Sequence, residues 1–243
     1  MLETVLSPAL FPLHQAGIEH KNVVVIDILR ATSTICVALY HGAEEIVTSA
    51  TPEEALGFRT QGYLCAAERD GMTVDGFELG NAPQDYSAER IGGKRIALTT
   101  TNGTRCLRMS AGAHRVFAGS FLNISVLANY LRIDGKPVLL FCAGWKDKFN
   151  LEDTFFAGAL ATELADTFTP DCDATLAAMN LWEQNKNRAS DFLAEASHAK
   201  RFQHLQRESD IEVCLRRDIA PVLPLFQNGV IRNLTENPIV QAG

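Results

Sequence analysis

Apolar positions along the chain come in two spacings that alternate. Short unbroken runs, of which Val23-Val24-Val25-Ile26 is the strongest, suit strands covered on both faces. Comparable runs at 45–49, 63–67, 94–98, 116–118 and 138–142 predict further strands. Between them apolar residues recur at helical spacing, predicting helices over 35–41, 123–131 and 152–166 and one carrying Leu107 and Met109. Another helix starts at Thr51-Pro52-Glu53-Glu54, where a capping hydroxyl precedes a proline in the first turn. Strand, polar turn and helix in repetition predict a three-layer α/β/α fold with a largely parallel or mixed sheet. From Asp173 to Arg217 the spacing is helical throughout, and Asn228-Gly229 between two apolar runs predicts a final β-hairpin. No linker or repeat divides the chain, so residues 1–243 read as one compact α/β unit with room for two lobes.

Charge narrows the partners. Lysine and arginine number 22 against 29 acidic residues, a net charge of −7, without the basic stripe of a nucleic-acid or membrane-surface binder. An anionic ligand must then be met by local donors. The six cysteines are never paired at metal-ligand or redox spacing, which predicts free thiols in a reducing compartment. The first residues lack a basic segment and no apolar run approaches membrane-spanning length, so the expectation is a cytoplasmic protein.

Ligands of open parallel sheets gather at the carboxyl ends of strands, and four such ends are polar. The first, Asp27 to Thr34, joins a carboxylate at the end of a buried strand to Arg30 and to Thr32, Ser33 and Thr34. Arginine and hydroxyl donors there suit a phosphate, although capping plus an Asp27–Arg30 pair would use the same residues. The second, Thr100-Thr101-Asn102-Gly103-Thr104-Arg105, offers donors and no carboxylate, as phosphate or sulfonate requires, with simple capping as its rival. The third supplies Glu68 as a candidate base or metal ligand and Asn81 as a donor. The fourth supplies Glu152 and Asp153, which could serve a helix start or a divalent ion. No Gly-Lys-Ser/Thr phosphate loop, GxSxG elbow, HExxH helix or Asp-x-Asp strand end is present.

Read together, Val25 to Thr34, Glu68-Arg69, Gly76 to Pro83, Leu98 to Arg105, Cys142-Ala143-Gly144 and Glu152-Asp153 resemble the 2-phosphosulfolactate phosphatase family. Glu78 stands where the family is expected to prefer aspartate, and beyond Asp173 the likeness thins to the spacing of Asp210, Cys214 and the hairpin. The resemblance implies a Mg²⁺-dependent hydrolase that converts 2-phospho-3-sulfolactate to 3-sulfolactate and phosphate, in coenzyme M biosynthesis. It implies Asp27, Arg30 and Glu68 as catalytic residues. Mg²⁺ would be held by Asp27 with one or both of Glu152 and Asp153, and substrate by Thr32, Ser33, Thr34, Asn81 and 100–105. The expected partner is a small anionic phosphorylated substrate, with no nucleic acid and no membrane, and with homo-oligomers left open. A phosphatase, isomerase or lyase of another phosphorylated hydroxy acid, or a non-catalytic anion-binding protein, would share this scaffold.

Overall fold

The computed structural model describes residues 1–197 and 208–234. The part of the predicted helical stretch that falls on 198–207 lies outside the described residues. Ten strands form one sheet: β1 (Leu2–Val5), β2 (Asn22–Ile26), β3 (Glu45–Thr48), β4 (Leu64–Arg69), β5 (Met72–Thr73), β6 (Arg95–Thr99), β7 (Arg115–Gly119), β8 (Val138–Cys142), β9 (Pro224–Gln227) and β10 (Val230–Asn233). The helices are α1 (Ala31–Tyr40), α2 (Pro52–Gly57), α3 (Ala88–Ile91), α4 (Gly103–Met109), α5 (Ile124–Asp134), α6 (Leu151–Leu164), α7 (Asp173–Asn185), α8 (Ala189–Ala194) and α9 (Glu208–Cys214). The three-layer α/β/α expectation holds, and β1 and β5 are strands that the pattern did not predict. In β1 a glutamate interrupts the apolar run, and β5 has only two exposed residues.

Strand order is β1-β8-β2-β7-β9-β10-β3-β6-β4-β5. The first four strands run parallel, as do β3, β6 and β4. Between these groups lies the hairpin of β9 and β10, antiparallel to both neighbours. Its turn needs left-handed backbone at two successive residues, which Asn228 (φ 52°) and Gly229 (φ 82°) supply. One consequence is that the two parallel groups run in opposite directions.

Alternation within the strands assigns the two faces. Val24 and Ile26 of β2, with Leu140 and Cys142 of β8, pack against α5, α6, α7, α8 and α9. Val23, Val25, Leu139 and Phe141 face the other way, into a core shared with Ile46, Ile96, Leu98 and Ala66 from the far group, with Ile231 of the hairpin, and with α1 and α4. Both groups therefore close around α1 and α4. Five strand spacings separate β2 from β6, about 24 Å in a flat sheet. Yet a Cβ built on Gly103, which follows β6, would lie 2.8 Å from the Asp27 carboxylate that follows β2. Twist of about 20–25° per strand, accumulated over those steps, turns the reversed group far enough for both sets of carboxyl ends to meet. Among the described residues, no helix is long and apolar enough to cross a membrane.

Candidate active site

Eight residues from four strand ends line one pocket: Asp27, Leu29 and Arg30 after β2, Glu68 and Gly71 around the end of β4, Asn81, Asn102 after β6, and Trp145 after β8. Its volume is about 270 Å³, part of it open to solvent. Asn81 arrives on the 76–83 segment, which pairs beside β4 through hydrogen bonds between Leu79 and the backbone of Cys65 and Ala67. At the surface, Lys146 and Asp70 form an ion pair of 2.9 Å that ties the loop after β8 to the turn after β4.

The charged lining residues are each held. The Asp27 carboxylate accepts a hydrogen bond from the Ala31 N–H (3.4 Å), and the Asp27 N–H donates to Thr32 Oγ1 (3.2 Å). Arg30 is 3% exposed and donates from one terminal nitrogen to Asp210 and from the other to the Gly71 carbonyl (2.8 Å). That arrangement fixes the plane of the guanidinium at the pocket wall. Glu68 accepts from the Gly71 N–H (2.6 Å), the Thr101 N–H (3.2 Å) and the Thr101 hydroxyl (3.2 Å). Asn81 Oδ1 is a buried acceptor with no hydrogen-bond partner among the described residues. An unpaired buried carbonyl is costly, so this atom points to a missing donor or cation.

The structure divides the sequence candidates into three groups. Asp27, Arg30, Glu68, Asn81 and Asn102 are brought together. Thr32, Ser33 and Thr34 are fully buried behind them. Ser33 donates to the Ile28 carbonyl (2.8 Å) and Thr34 to the Asn81 carbonyl (3.0 Å), so these hydroxyls build the turn and locate Asn81 instead of facing the pocket. Gly103 is a close-approach residue, since a side chain there would collide with Ala31 and Asp27. Thr100, Thr101, Thr104 and Arg105 face a different cleft. Asp210, the partner of Arg30, entered the sequence reading only through its spacing from Cys214 and the hairpin, with no role in the site. The two lie 180 positions apart, and no local pattern links them. Glu78 pairs with Arg59 (2.9 Å) and does not line the pocket.

Glu152 and Asp153 are buried at the start of α6. Asp153 is sealed: its oxygens accept from the Ile28 N–H (3.0 Å), the Gly144 N–H (3.0 Å) and Asn150 Nδ2 (2.9 Å). Burial, and then the negative charges of Asp27 and Glu152, push its carboxyl well above the usual carboxylate range. Among the described residues, no three His, Cys, Asp or Glu side chains form a group able to hold a metal. Asp27 with both Glu152 and Asp153 is therefore not such a group, and Asp27 with one of them is left within the expectation. Magnesium ordinarily takes one or two carboxylates and keeps several waters, and Asp27, Glu68 and the unpaired Asn81 oxygen fit that sparser demand. Thiol chemistry does not compete, because burial pushes nearby Cys106 and Cys142 well above their ordinary range.

The comparison with known proteins bears directly on this pocket. A family model described as 2-phosphosulpholactate phosphatase matches residues 7–229. The chain belongs to the 2-phosphosulpholactate phosphatase family. It is 39% identical over 230 residues to a probable 2-phosphosulfolactate phosphatase of Thermotoga petrophila, covering 95% of this chain and 97% of that one. A protein of the same description from Caldanaerobacter subterraneus is 37% identical over 226 residues, 90% and 93% of the two chains. Another, from Picosynechococcus, is 37% identical over 217 residues, 86% and 90% of the two. The matched span of this 2-phosphosulpholactate phosphatase family member includes every described strand end that lines the pocket, and the chain is a phosphoric monoester hydrolase.

Proposed function

We propose that this pocket hydrolyses 2-phospho-3-sulfolactate to 3-sulfolactate and inorganic phosphate in the cytoplasm, with Mg²⁺, as a step of coenzyme M formation. The observation that carries the reading is the lining itself: two carboxylates, one guanidinium and one unpaired amide oxygen. A substrate bearing phosphate, carboxylate and sulfonate would meet more negative than positive charge there, so a divalent cation is needed to admit it. Asp27 and Asn81 would hold that ion, with Glu68 nearby. When bound, it supplies Lewis-acid polarisation of the phosphoryl oxygens.

The remaining work falls to the chain. Arg30, oriented by Asp210 and Gly71, faces the charge that develops on the transferring phosphoryl group. Water forms the new P–O bond as the ester P–O bond breaks. Glu68 takes one proton from the water, and that proton ends on the leaving alkoxide oxygen, which becomes the hydroxyl of 3-sulfolactate. Asn102, held by the Lys146 N–H (3.3 Å), contributes to orienting the other anionic groups.

The test is phosphate release from a panel of phosphorylated carboxylic and sulfonic acids, with Mg²⁺ and then with EDTA. Release from 2-phospho-3-sulfolactate that EDTA abolishes is expected. Turnover without phosphate release would instead indicate an isomerase or lyase, and ligand-dependent stabilisation without turnover would indicate a binding protein. In ¹⁸O-labelled water a single turnover should place label in phosphate. Label in the Asp27 carboxylate would overturn direct attack in favour of a phosphoenzyme.

A further inference from the structure

A second cleft opens beside the catalytic pocket, sharing with it the Glu68–Thr101 contact as a wall. Its space, counting the part open to solvent, is about 930 Å³, and its lining includes Ser49, Arg69, Thr100, Thr101, Arg105 and Arg108. Three arginines and four hydroxyl residues line this space and, among the described residues, no carboxylate does, whereas the catalytic pocket has two carboxylates and one guanidinium.

Two details indicate a ligand rather than a bare basic surface. Ser49 is wholly buried, lines the cleft, and its hydroxyl has no hydrogen-bond partner among the described residues. Leaving a buried hydroxyl unpaired destabilises a protein unless something completes it. Arg69 forms hydrogen bonds to the Glu68 carbonyl (2.6 Å) and to Thr99 Oγ1 (3.0 Å), and makes no ion pair among the described residues. Both contacts are neutral acceptors, so they orient its positive charge without cancelling it. Arg105 and Arg108 have carboxylate partners in Asp147 (2.8 Å) and Glu54 (3.6 Å), but both pairs are substantially exposed. Exposed pairs are weak enough to be exchanged for a better anion.

We propose that this cleft binds the tetrahedral oxyanion group, phosphate or sulfonate, of a small molecule, at a site separate from the catalytic pocket. Forked guanidinium donors match such oxygens in pairs, and Ser49 supplies the buried hydroxyl that fixes the depth of the anion. Ala50 and Met109 give the remainder of the ligand an apolar wall. Since Thr101 hydrogen-bonds Glu68 from this side, occupancy of the cleft bears on the position of Glu68. The site does not depend on the reaction assigned to the first pocket.

The full chain is titrated calorimetrically with inorganic phosphate and, separately, with methanesulfonate, so that the two oxyanion types are distinguished. Charged hydrogen bonds of this kind set the expected loss in Arg108→Glu at about tenfold or more in Kd, and in Ser49→Ala at about fivefold. Without anion, Ser49→Ala should melt at the same temperature as the parent or higher, because its hydroxyl then has nothing to bind. Asn81→Asp, which adds negative charge to the catalytic pocket, should leave binding in the cleft within about twofold. The oxyanion that binds and is lost in both cleft variants identifies the group. Absence of binding by either anion, undiminished binding in both cleft variants, or loss confined to Asn81→Asp would overturn the proposal.

Discussion

The turns after β2 and after β6 have nearly the same composition and opposite fates. Each leaves a buried strand, carries three threonine or serine hydroxyls and an arginine, and enters a helix. After β2 the hydroxyls of Thr32, Ser33 and Thr34 are fully buried and spent on the protein, and Arg30 is 3% exposed against Asp210. The turn after β6 is divided: Asn102 reaches the catalytic pocket, while Thr100, Thr101 and Arg105 face the neighbouring cleft. Its arginine side chain is 51% exposed. The contrast rests mainly on the arginines, because Thr100, Asn102 and Thr104 are buried too and Thr100 and Thr104 hydrogen-bond each other. A hydroxyl-rich turn thus marks a strand end near a pocket, and the exposure of its arginine separates the two turns.

The largest effect should come from the pocket side of the buried turn. Asp27→Asn keeps the shape and removes the charge, and loss of the carboxylate proposed to hold the cation is expected to reduce kcat by about 10³-fold, or about 4 kcal/mol of barrier. Thermal stability should change little or rise, because removing Asp27 removes a negative charge that raises the Asp153 carboxyl. Turnover within about tenfold of the parent would break the assignment of this turn to catalysis.

Behind it, Asp153 should act on stability. Asp153→Asn replaces an acceptor of three N–H donors by a group that can itself donate, leaving a buried donor unpaired at a cost of about 2–3 kcal/mol. The pH dependence has a definite sign. A carboxyl raised above its ordinary value binds its proton more tightly when folded, so its favourable contribution is complete below the ordinary carboxylate range. That contribution is lost as pH rises through the raised value. Denaturant melts of parent and Asp153→Asn across that window should show the parent's advantage largest at the acid end. An advantage growing with pH would reverse the account of burial and of the charges of Asp27 and Glu152.

Much of this was legible in the residues. Unbroken valine and isoleucine located β2, the Asn228-Gly229 pair located the hairpin, and strand ends selected Asp27, Arg30, Glu68, Asn81 and Asn102. What was not legible depends on distant packing. Nothing near the hairpin shows that it separates two oppositely directed parallel groups, and nothing near Arg30 shows that Asp210 receives it. Hydroxyl composition likewise says nothing about which face is covered, so the two turns read alike. Glu152 and Asp153 also look equivalent as acids at a helix start, and only the folded chain shows Asp153 accepting three N–H donors from separate segments.

Thr34 tests whether the buried turn positions the site. Thr34→Val keeps the shape and removes the hydrogen bond to the Asn81 carbonyl, a loss of about 1 kcal/mol of stability. Because Asn81 is then less well placed, activity should fall about three- to tenfold, and Thr34→Ser, which retains the hydroxyl, should restore most of it. If the valine variant lost stability alone, Thr34 would be a packing residue without influence on the pocket.

The smallest effect belongs to the exposed arginine. Arg105 and Asp147 make an ion pair of 2.8 Å between side chains that are 51% and 46% exposed, in the region where solvent and salt screen most of the attraction. Arg105→Gln should therefore change unfolding free energy by no more than about 0.5 kcal/mol, and the difference should shrink further in high salt. The corresponding change at Arg30 would strand Asp210, a buried carboxylate, and should cost several times as much. Equilibrium denaturation of both variants at low and high salt makes the comparison. A loss at Arg105 comparable to that at Arg30, and insensitive to salt, would show that the two arginines are equally structural and that exposure does not separate the two turns.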